Sequence, residues 1–382
     1  MKPSHRQTPT GKLRARGAGI PFTGTPGENN SITDVASVEV GYRTLISGNG
    51  PLVVGQGPVR TGVTAIFPHG RANPNAAAYA GYFEMSGNGE MTGMAFVRER
   101  GRFDGPITIT NTHSCGVARD ATAQWLYSQL STSAKNDQPF WLPVAAETYD
   151  GNLNDVNGHH VKKEHVIAAF EDARGGPIEE GSVGGGTGMR CYEFKGGSGT
   201  ASRMVDYAGA RYCVGAFVQS NFGKRHLLHI AGIPIGTEIP VEPSQALGAE
   251  SGSIIVIVAT DAPMLPHHLS RMARRAAYGI ARSGGIASNE SGDLFLAFST
   301  ANRAALETHS GIVSAACVGE EAMSRFYEAT IEAVDEAIMN SIFANETMTG
   351  RDGNTVPALP VARVQAILAR HGRLVSHSDK TA

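Results

Sequence analysis

An unbroken run of five apolar, β-branched residues occupies positions 254–258, with the sequence Ile-Ile-Val-Ile-Val. A strand with one face in water alternates apolar and polar side chains, so a continuous run predicts a strand that is buried on both faces. The ten residues before it, 243–252, have the composition of a turn or loop. The pattern therefore predicts a loop that enters a buried inner strand at Ser253.

Helical periodicity is evident in two segments of the carboxy-terminal third of the chain. In residues 265–282, apolar side chains recur every three or four positions, and Pro266 fits the first helical turn. Residues 320–343 carry a second apolar stripe of this kind. Three further helices are predicted at residues 117–130, 161–173 and 361–371.

Shorter β-rich segments alternate with these helices, but not in the regular order of a doubly wound parallel sheet. They are predicted at residues 38–45, 62–67, 140–148, 210–220, 226–233 and 294–298. Residues 1–15 are polar and are expected to form a mobile arm. The glycine-rich segment 81–93 is expected to form either a loop facing a pocket or a surface turn, and segment 177–199 is expected to form tight turns near a site. A doubly buried strand at Ser253 fits two sheets packed face to face with helices outside, and no repeat or low-complexity linker divides the chain.

Composition limits the classes of partner. The 382 residues, 41% of them hydrophobic, allow one large domain or two. A formal net charge of −2 gives no global positive field, which argues against nucleic acid and anionic membranes as partners. No window approaches the roughly 18 apolar residues of a membrane span, and the polar amino terminus lacks the apolar core of a secretory signal. We therefore expect a cytoplasmic protein.

Metal and nucleotide sites are not indicated. The four cysteines and thirteen histidines lack ligand spacing, and the pair His267-His268, which opens a predicted helix, is expected to be exposed. The stretch Gly184-Gly-Gly-Thr-Gly188 lacks the Lys-Ser/Thr ending of a phosphate-binding loop. No metal and no cofactor are expected.

The junction between the loop and the buried strand, Gly252–Ser253, has the residue types of a self-cleaving peptide bond. Gly252 tolerates a strained backbone, and the Ser253 hydroxyl can attack the Gly252 carbonyl in an N-to-O acyl shift whose ester is then hydrolysed. Ser253 would begin a new chain, and its α-amine, with an ordinary pKa of about 7.7–8.0, would act as base for its own hydroxyl. A serine that merely opens a strand has the same local sequence, so the junction alone leaves both interpretations open.

Six sequence blocks, spread over nearly the whole chain, favour self-cleavage through a resemblance. They are RGAGIPF at 16–22, ITDVASVEVGY at 32–42, SGNGEMTG at 86–93, TNTHSCG at 110–116, GSVGGGTGM at 181–189 and SIIVIVATDAP at 253–263. In this order they resemble the family of L-aminopeptidase D-Ala-esterase/amidases and β-peptidyl aminopeptidases, and the first of these branches most. The resemblance implies a four-layer α/β/β/α sandwich. It also implies self-cleavage into chains 1–252 and 253–382, which together form one domain, and a tetramer of such heterodimers.

The resemblance also implies roles for individual side chains. Ser253 corresponds to the nucleophile, Asn221 to the oxyanion-hole amide and Tyr149 to the active-site tyrosine that assists the transition state. Ser291 and Asp293 correspond to the pair that orients the amine and hydroxyl of the nucleophile. The well-described β-peptidases have glutamate at the last position, one methylene longer. Without the resemblance, a turn asparagine, a core tyrosine and a turn aspartate would be the ordinary interpretations.

Glu147 is a further candidate, from its spacing. It lies two residues before Tyr149, so both side chains share one face if the segment is a strand. Its carboxylate is expected to bind the α-ammonium of a substrate, and a solvated strand residue is the alternative.

The leading hypothesis is therefore a self-processing serine aminopeptidase that hydrolyses short peptides, amino acid amides and esters through an acyl-enzyme on Ser253. An acyltransferase of the ornithine acetyltransferase type is one alternative, although that family uses a threonine nucleophile. A non-catalytic, glycine-rich binding protein is the other.

Overall fold

The computed structural model describes residues 2–241, 252–308 and 310–375. The strands within these residues are β1 (Glu39–Ser47), β2 (Val59–Phe67), β3 (Ala77–Gly87), β4 (Arg102–Asp104), β5 (Ile107–Asn111), β6 (Ala145–Thr148), β7 (Arg190–Cys191), β8 (Phe194–Lys195), β9 (Gly197–Tyr207), β10 (Ala210–Asn221), β11 (Gly252–Thr260), β12 (Ser291–Ser299), β13 (Met348–Thr349) and β14 (Thr355–Val356). The α-helices are α1 (Pro3–Arg6), α2 (Met94–Arg100), α3 (Cys115–Ser128), α4 (Thr132–Asn136), α5 (Lys163–Asp172), α6 (Ile235–Glu238), α7 (Pro266–Arg282), α8 (Arg303–Glu307), α9 (Met323–Phe343) and α10 (Val361–Arg370).

The larger sheet has six strands in the order β4-β3-β12-β11-β10-β9, and β11 is the strand that the apolar run predicts. β11 and β12 run parallel, whereas the other neighbours are antiparallel. Every residue of β11 is buried. Ile254 and Val256 pack on the helix side of the sheet, while Ile255 and Ile257 face the second sheet. The run is continuous because each face of the strand packs against a different layer.

The second sheet completes a sandwich. Its four strands lie in the order β1-β2-β5-β6, with β5 and β6 parallel. Helices α3 and α5 cover its outer face, and α7 and α9 cover the outer face of the larger sheet. Three separate apolar cores lie between the four layers. The α/β/β/α sandwich is confirmed.

Strands β3 and β9 are glycine- and alanine-rich and were not predicted. A Cβ at Gly199 of β9 would lie 2.1 Å from the carbonyl oxygen of Ala337 in α9, and one at Gly81 of β3 would lie 2.0 Å from the backbone nitrogen of Ser270 in α7. These glycines let the helices pack directly on the strand backbone. Because β3 extends to Gly87, only the end of the predicted loop at 81–93 is a loop.

The amino-terminal arm is ordered, contrary to expectation. The side chain of His5 is buried, and the Arg14 guanidinium donates to Glu180 at 2.6 Å where both side chains are almost completely buried. Because a buried ion pair needs both partners fixed, this contact ties the arm to the body of the protein.

Two strand predictions need correction. Residues 226–233 contain a short 3₁₀ turn, Arg225–Leu227, and a single bridge between Ile230 and Ile233. The strand predicted at 140–148 is confined to β6. None of the described helices is both long enough and apolar enough to cross a bilayer.

Candidate active site

Ser253 is the second residue of β11 and lies opposite Asn221 of β10 on one side and Gly292 of β12 on the other. The residue is 6% exposed. Its hydroxyl donates to the carbonyl oxygen of Gly252, with 2.6 Å between the two oxygens, and accepts from the backbone N–H of Gly292 at 3.3 Å. The hydroxyl is thus held beside the carbonyl group that an N-to-O acyl shift would attack.

Asn221 ends β10, and both ends of its side-chain amide are hydrogen-bonded. Its Oδ1 accepts from the backbone N–H of Arg190 at 2.9 Å, and its Nδ2 donates to the carbonyl oxygen of Tyr149 at 2.9 Å. The residue is only 2% exposed. A fixed amide N–H₂ group next to a nucleophile is the kind of donor that stabilises a developing oxyanion.

Ser291 and Asp293 lie on β12, where they pair in register with Gly252 and Ile254 and so flank Ser253. The Ser291 hydroxyl donates to Asp293 Oδ1 at 2.6 Å. Asp293, although one methylene shorter than the glutamate of the β-peptidases, therefore reaches Ser291. Burial raises the pKa of Asp293 to about 6, although the hydrogen bonds from Ser291 and from the Ile254 backbone favour the carboxylate.

A cavity of about 430 Å³ opens in front of Ser253. The residues that line it are Asn88, Gly89, Glu90, Thr112, Glu147, Tyr149, Gly252, Ser253 and Glu290. Three of these nine are glutamates and none is basic, so the cavity favours a cationic group.

Glu147 lies on β6 and is not a solvated strand residue, because only 4% of it is exposed. One carboxylate oxygen accepts from the backbone N–H of Glu90 at 2.9 Å, and the other accepts from the Thr112 hydroxyl. Burial raises the pKa of Glu147, while these two hydrogen bonds oppose the shift. The site therefore holds a carboxylate that has been taken out of water and forms no ion pair among the described residues.

Tyr149 follows β6 and is half-buried at the cavity wall. Its ring lies over Gly151, where a Cβ would fall 2.2 Å from the tyrosine hydroxyl oxygen. Because Gly151 has no side chain, the Tyr149 ring can occupy this space. The structure brings Tyr149, Glu147 and Ser253 to one cavity, although Tyr149 lies just beyond the end of β6 and not within a strand.

Two cavity residues were missed. Thr112 directly follows β5 and lies within the block at 110–116, which could have indicated it. Glu290 lies in the turn before β12, and no pattern in the sequence points to it. The side-chain amide of Asn88 donates to the carbonyl oxygen of Glu290 at 2.8 Å and joins the two rims of the cavity.

Away from this cavity, one group of potential metal ligands comes together within the described part of the chain. Ligand atoms of His267, His268 and Glu320 lie within 4.8 Å of one another. His267 is exposed as expected, but His268 is buried. Arg271 donates to Glu320 at 2.6 Å, and a guanidinium at this distance disfavours a bound cation.

A serine near the start of a buried strand of an α/β/β/α sandwich, facing a cavity, is the arrangement expected of the Ntn hydrolase fold. The chain belongs to peptidase family S58, whose model matches residues 30–356. It is accordingly a hydrolase of the aminopeptidase class with a serine nucleophile.

Relatives of known structure or activity agree with this assignment. The chain is 48% identical over 376 residues to the beta-peptidyl aminopeptidase BapA of Sphingosinicella microcystinivorans, covering 95% of this chain and 93% of the relative. It superposes with a TM-score of 0.89 and 43% identity on the L-aminopeptidase D-Ala-esterase/amidase of Ochrobactrum anthropi, covering 94% and 99% of the two chains. That structure is described as a prototype for the serine aminopeptidases and a variant of the Ntn hydrolase fold. The β-aminopeptidase of a Burkholderia species gives a TM-score of 0.83 at 40% identity, covering 96% and 100%. The chain therefore resembles both branches of the family to a similar degree.

Proposed function

We propose that the chain cleaves itself between Gly252 and Ser253 and then removes amino-terminal residues from short peptides, amino acid amides and esters. One contact carries this proposal. The Ser253 hydroxyl lies 2.6 Å from the carbonyl oxygen of Gly252, at the wall of the cavity.

In the processing step, Ser253 Oγ adds to the carbonyl carbon of Gly252 and the bond from that carbon to the Ser253 nitrogen breaks. The hydroxyl proton passes to this nitrogen, which becomes a free amine. Water then hydrolyses the ester, leaving chains 1–252 and 253–382. Asn221 lies directly opposite Ser253 on β10, which supports a role for its amide in stabilising the charge on the Gly252 carbonyl oxygen during this step.

In the processed enzyme, the Ser253 amine takes the proton from the Ser253 hydroxyl, which attacks the acyl carbon of the substrate. The leaving amine or alcohol receives the proton, and water resolves the acyl-enzyme. Asn221 and the Tyr149 hydroxyl stabilise the transition state. The hydrogen-bonded pair of Ser291 and Asp293, which flanks Ser253 on β12, orients the new amine.

The substrate ammonium binds to Glu147. Its buried carboxylate lines the same cavity as Ser253, and with the ammonium bound it gains an ion-pair partner, which it lacks among the described residues. This arrangement supports an aminopeptidase over an acyltransferase, together with the serine, not threonine, at position 253. We also propose that four processed heterodimers assemble in the cytoplasm, and light scattering on the purified protein tests the assembly.

Ser253→Ala tests the mechanism. Intact mass under denaturing conditions should give two chains for the wild type, 1–252 and 253–382, and a single full-length, inactive chain for the variant. Ser251→Ala, which removes the serine on the other side of Gly252 in the sequence, is the matched control and should still be processed. Cleavage of Ser253→Ala between residues 252 and 253 would show that the self-processing mechanism is wrong.

A further inference from the structure

Lys195, the last residue of β8, is a buried lysine outside the cavity. Its side chain is fully enclosed, and its Nζ donates to the carbonyl oxygens of Met189 and Gly196 at 2.8 and 2.7 Å. No carboxylate within the described ranges forms an ion pair with it. Burial lowers its pKa to about 7. Because a buried ammonium without a counter-ion is costly, the position of Lys195 calls for an explanation.

The Met189 carbonyl connects Lys195 to the active-site residue Asn221. This carbonyl and the N–H of Arg190 belong to one peptide unit. Lys195 donates to the carbonyl oxygen of that unit, and the Arg190 N–H of the same unit donates to Oδ1 of Asn221 at 2.9 Å. A hydrogen-bond donor on the carbonyl side polarises a peptide and strengthens the hydrogen bond that its N–H donates.

This chain of hydrogen bonds fixes which way the Asn221 amide faces. Oδ1 points to the Arg190 N–H, so Nδ2 points to Tyr149, which lines the cavity. If the amide turned over, an oxygen would face the side where negative charge develops and would repel it.

We propose that Lys195 is a positioning residue for catalysis, which holds the amide of Asn221 in its productive orientation through the Met189–Arg190 peptide. The inference rests on the proposed role of Asn221 as an oxyanion donor. Lys195 does not line the cavity, so its effect on turnover passes through Asn221.

A double-mutant cycle with Lys195→Met and Asn221→Ala separates this role from simple support of the hairpin formed by β7 and β8. Turnover is expressed per processed chain, with the processed fraction taken from intact mass. In the wild-type background, Lys195→Met should lower kcat about tenfold and leave KM nearly unchanged. The expected loss is smaller than the roughly 10²–10³-fold loss on removing an oxyanion donor outright, because the donor remains but is less well oriented. In the Asn221→Ala background, the same change should alter kcat less than about twofold. An equal fall in both backgrounds would overturn the proposal.

Asn345→Ala is the matched control. The Asn345 amide donates to the carbonyl oxygens of Lys195 and Gly196 at 3.1 and 3.0 Å, so its loss loosens the same hairpin while the hydrogen bond from Lys195 Nζ to the Met189 carbonyl is kept. Its effect on kcat should be the same in both backgrounds. Should Lys195→Met fail to fold, Lys195→Gln, which keeps a neutral N–H donor, goes through the same cycle with the same criterion.

The cycle also distinguishes two failures. If Asn221→Ala alone keeps near wild-type turnover, the oxyanion role of Asn221 is wrong and the inference falls with it. If Asn221→Ala loses turnover but the two changes multiply independently, the role of Asn221 stands and that of Lys195 is wrong.

Discussion

Glu147→Gln should impair catalysis without weakening the fold. The carboxylate accepts two hydrogen bonds, from the backbone N–H of Glu90 and from the Thr112 hydroxyl. A glutamine amide suits the same partners, since its oxygen accepts from the backbone N–H and its nitrogen donates to the hydroxyl, which can rotate to accept. The substitution therefore keeps a hydrogen bond to each of these two partners.

The stability of the variant should be unchanged or slightly higher. Burial raises the pKa of Glu147, so the folded state binds a proton more tightly than the unfolded chain does. The contribution of this group to the free energy of unfolding therefore falls as the pH rises through the unfolded-state pKa towards the folded one. A glutamine has no charged form to desolvate and does not show this loss at neutral pH.

Catalysis should fall because the substrate ammonium loses its charged partner. Hydrogen bonds to charged groups contribute about 1.5–3 kcal/mol, which corresponds to roughly a 10–150-fold loss in kcat/KM. Only substrates with an amine should feel this loss.

A pair of p-nitroanilides measures the effect. L-alanine p-nitroanilide carries the ammonium, and propionic acid p-nitroanilide lacks it. The variant should lose activity on the first substrate only, with an unchanged or higher melting temperature. Glu90→Gln makes the same charge change at the exposed rim of the cavity and should cost less than about threefold, because exposed charges are screened. An equal loss on both substrates, or no loss on the alanine compound, would refute the role of Glu147.

Three further predictions concern the groups around the nucleophile. Asn221→Ala should fold but lose about 10²–10³-fold in kcat, and turnover near that of the wild type, measured alongside thermal melting, would remove it from the site. If the Ser253 amine is the base, kcat/KM should rise with pH through roughly 6.5–8.5, and the rise should stay in place when a substrate with a different amine pKa is used; a rise that moves with the substrate would contradict this assignment. The pKa of Asp293 is raised to about 6 from an ordinary value of 3.8 by burial, so its contribution to the free energy of unfolding should fall as the pH rises between these values. In single-chain Ser253→Ala protein, adding Asp293→Asn should abolish that fall in melting experiments, and an unaltered pH dependence would count against the shifted pKa.

The sequence could predict those parts of the fold in which the pattern of apolar residues reflects burial. The run at 254–258 is continuous because both faces of β11 are covered, and α7 follows its apolar stripe to within a residue. Strands β3 and β9 gave no such signal, because close packing of helices on them requires glycine, a residue that weakens any strand pattern.

The site was less accessible from residue types alone. Asn221 looks like a turn residue until β10 places it opposite Ser253, and the resemblance to a family, not its spacing, indicated its role. Asp293 is 40 positions from Ser253 and becomes a neighbour only because β11 and β12 pair in parallel register. Glu290 and Lys195 depend wholly on tertiary structure, since an exposed turn glutamate and a strand lysine are ordinary in any sequence.

The order of strands in the larger sheet bears on how a cut chain would hold together. Its two middle strands, β12 and β11, come from residues after Gly252, while β3 on one side and β10 on the other come from residues before it. The strands of the carboxy-terminal piece are therefore enclosed by those of the amino-terminal piece, and separating the two would break two strand pairings at once and expose both faces of β11 to water. Two pieces joined in this way would separate only when the whole domain unfolds. A break at Gly252 therefore removes a covalent link but leaves the two pieces held together by strand pairing and packing. A break beside an edge strand such as β4 would instead leave a segment free to peel away.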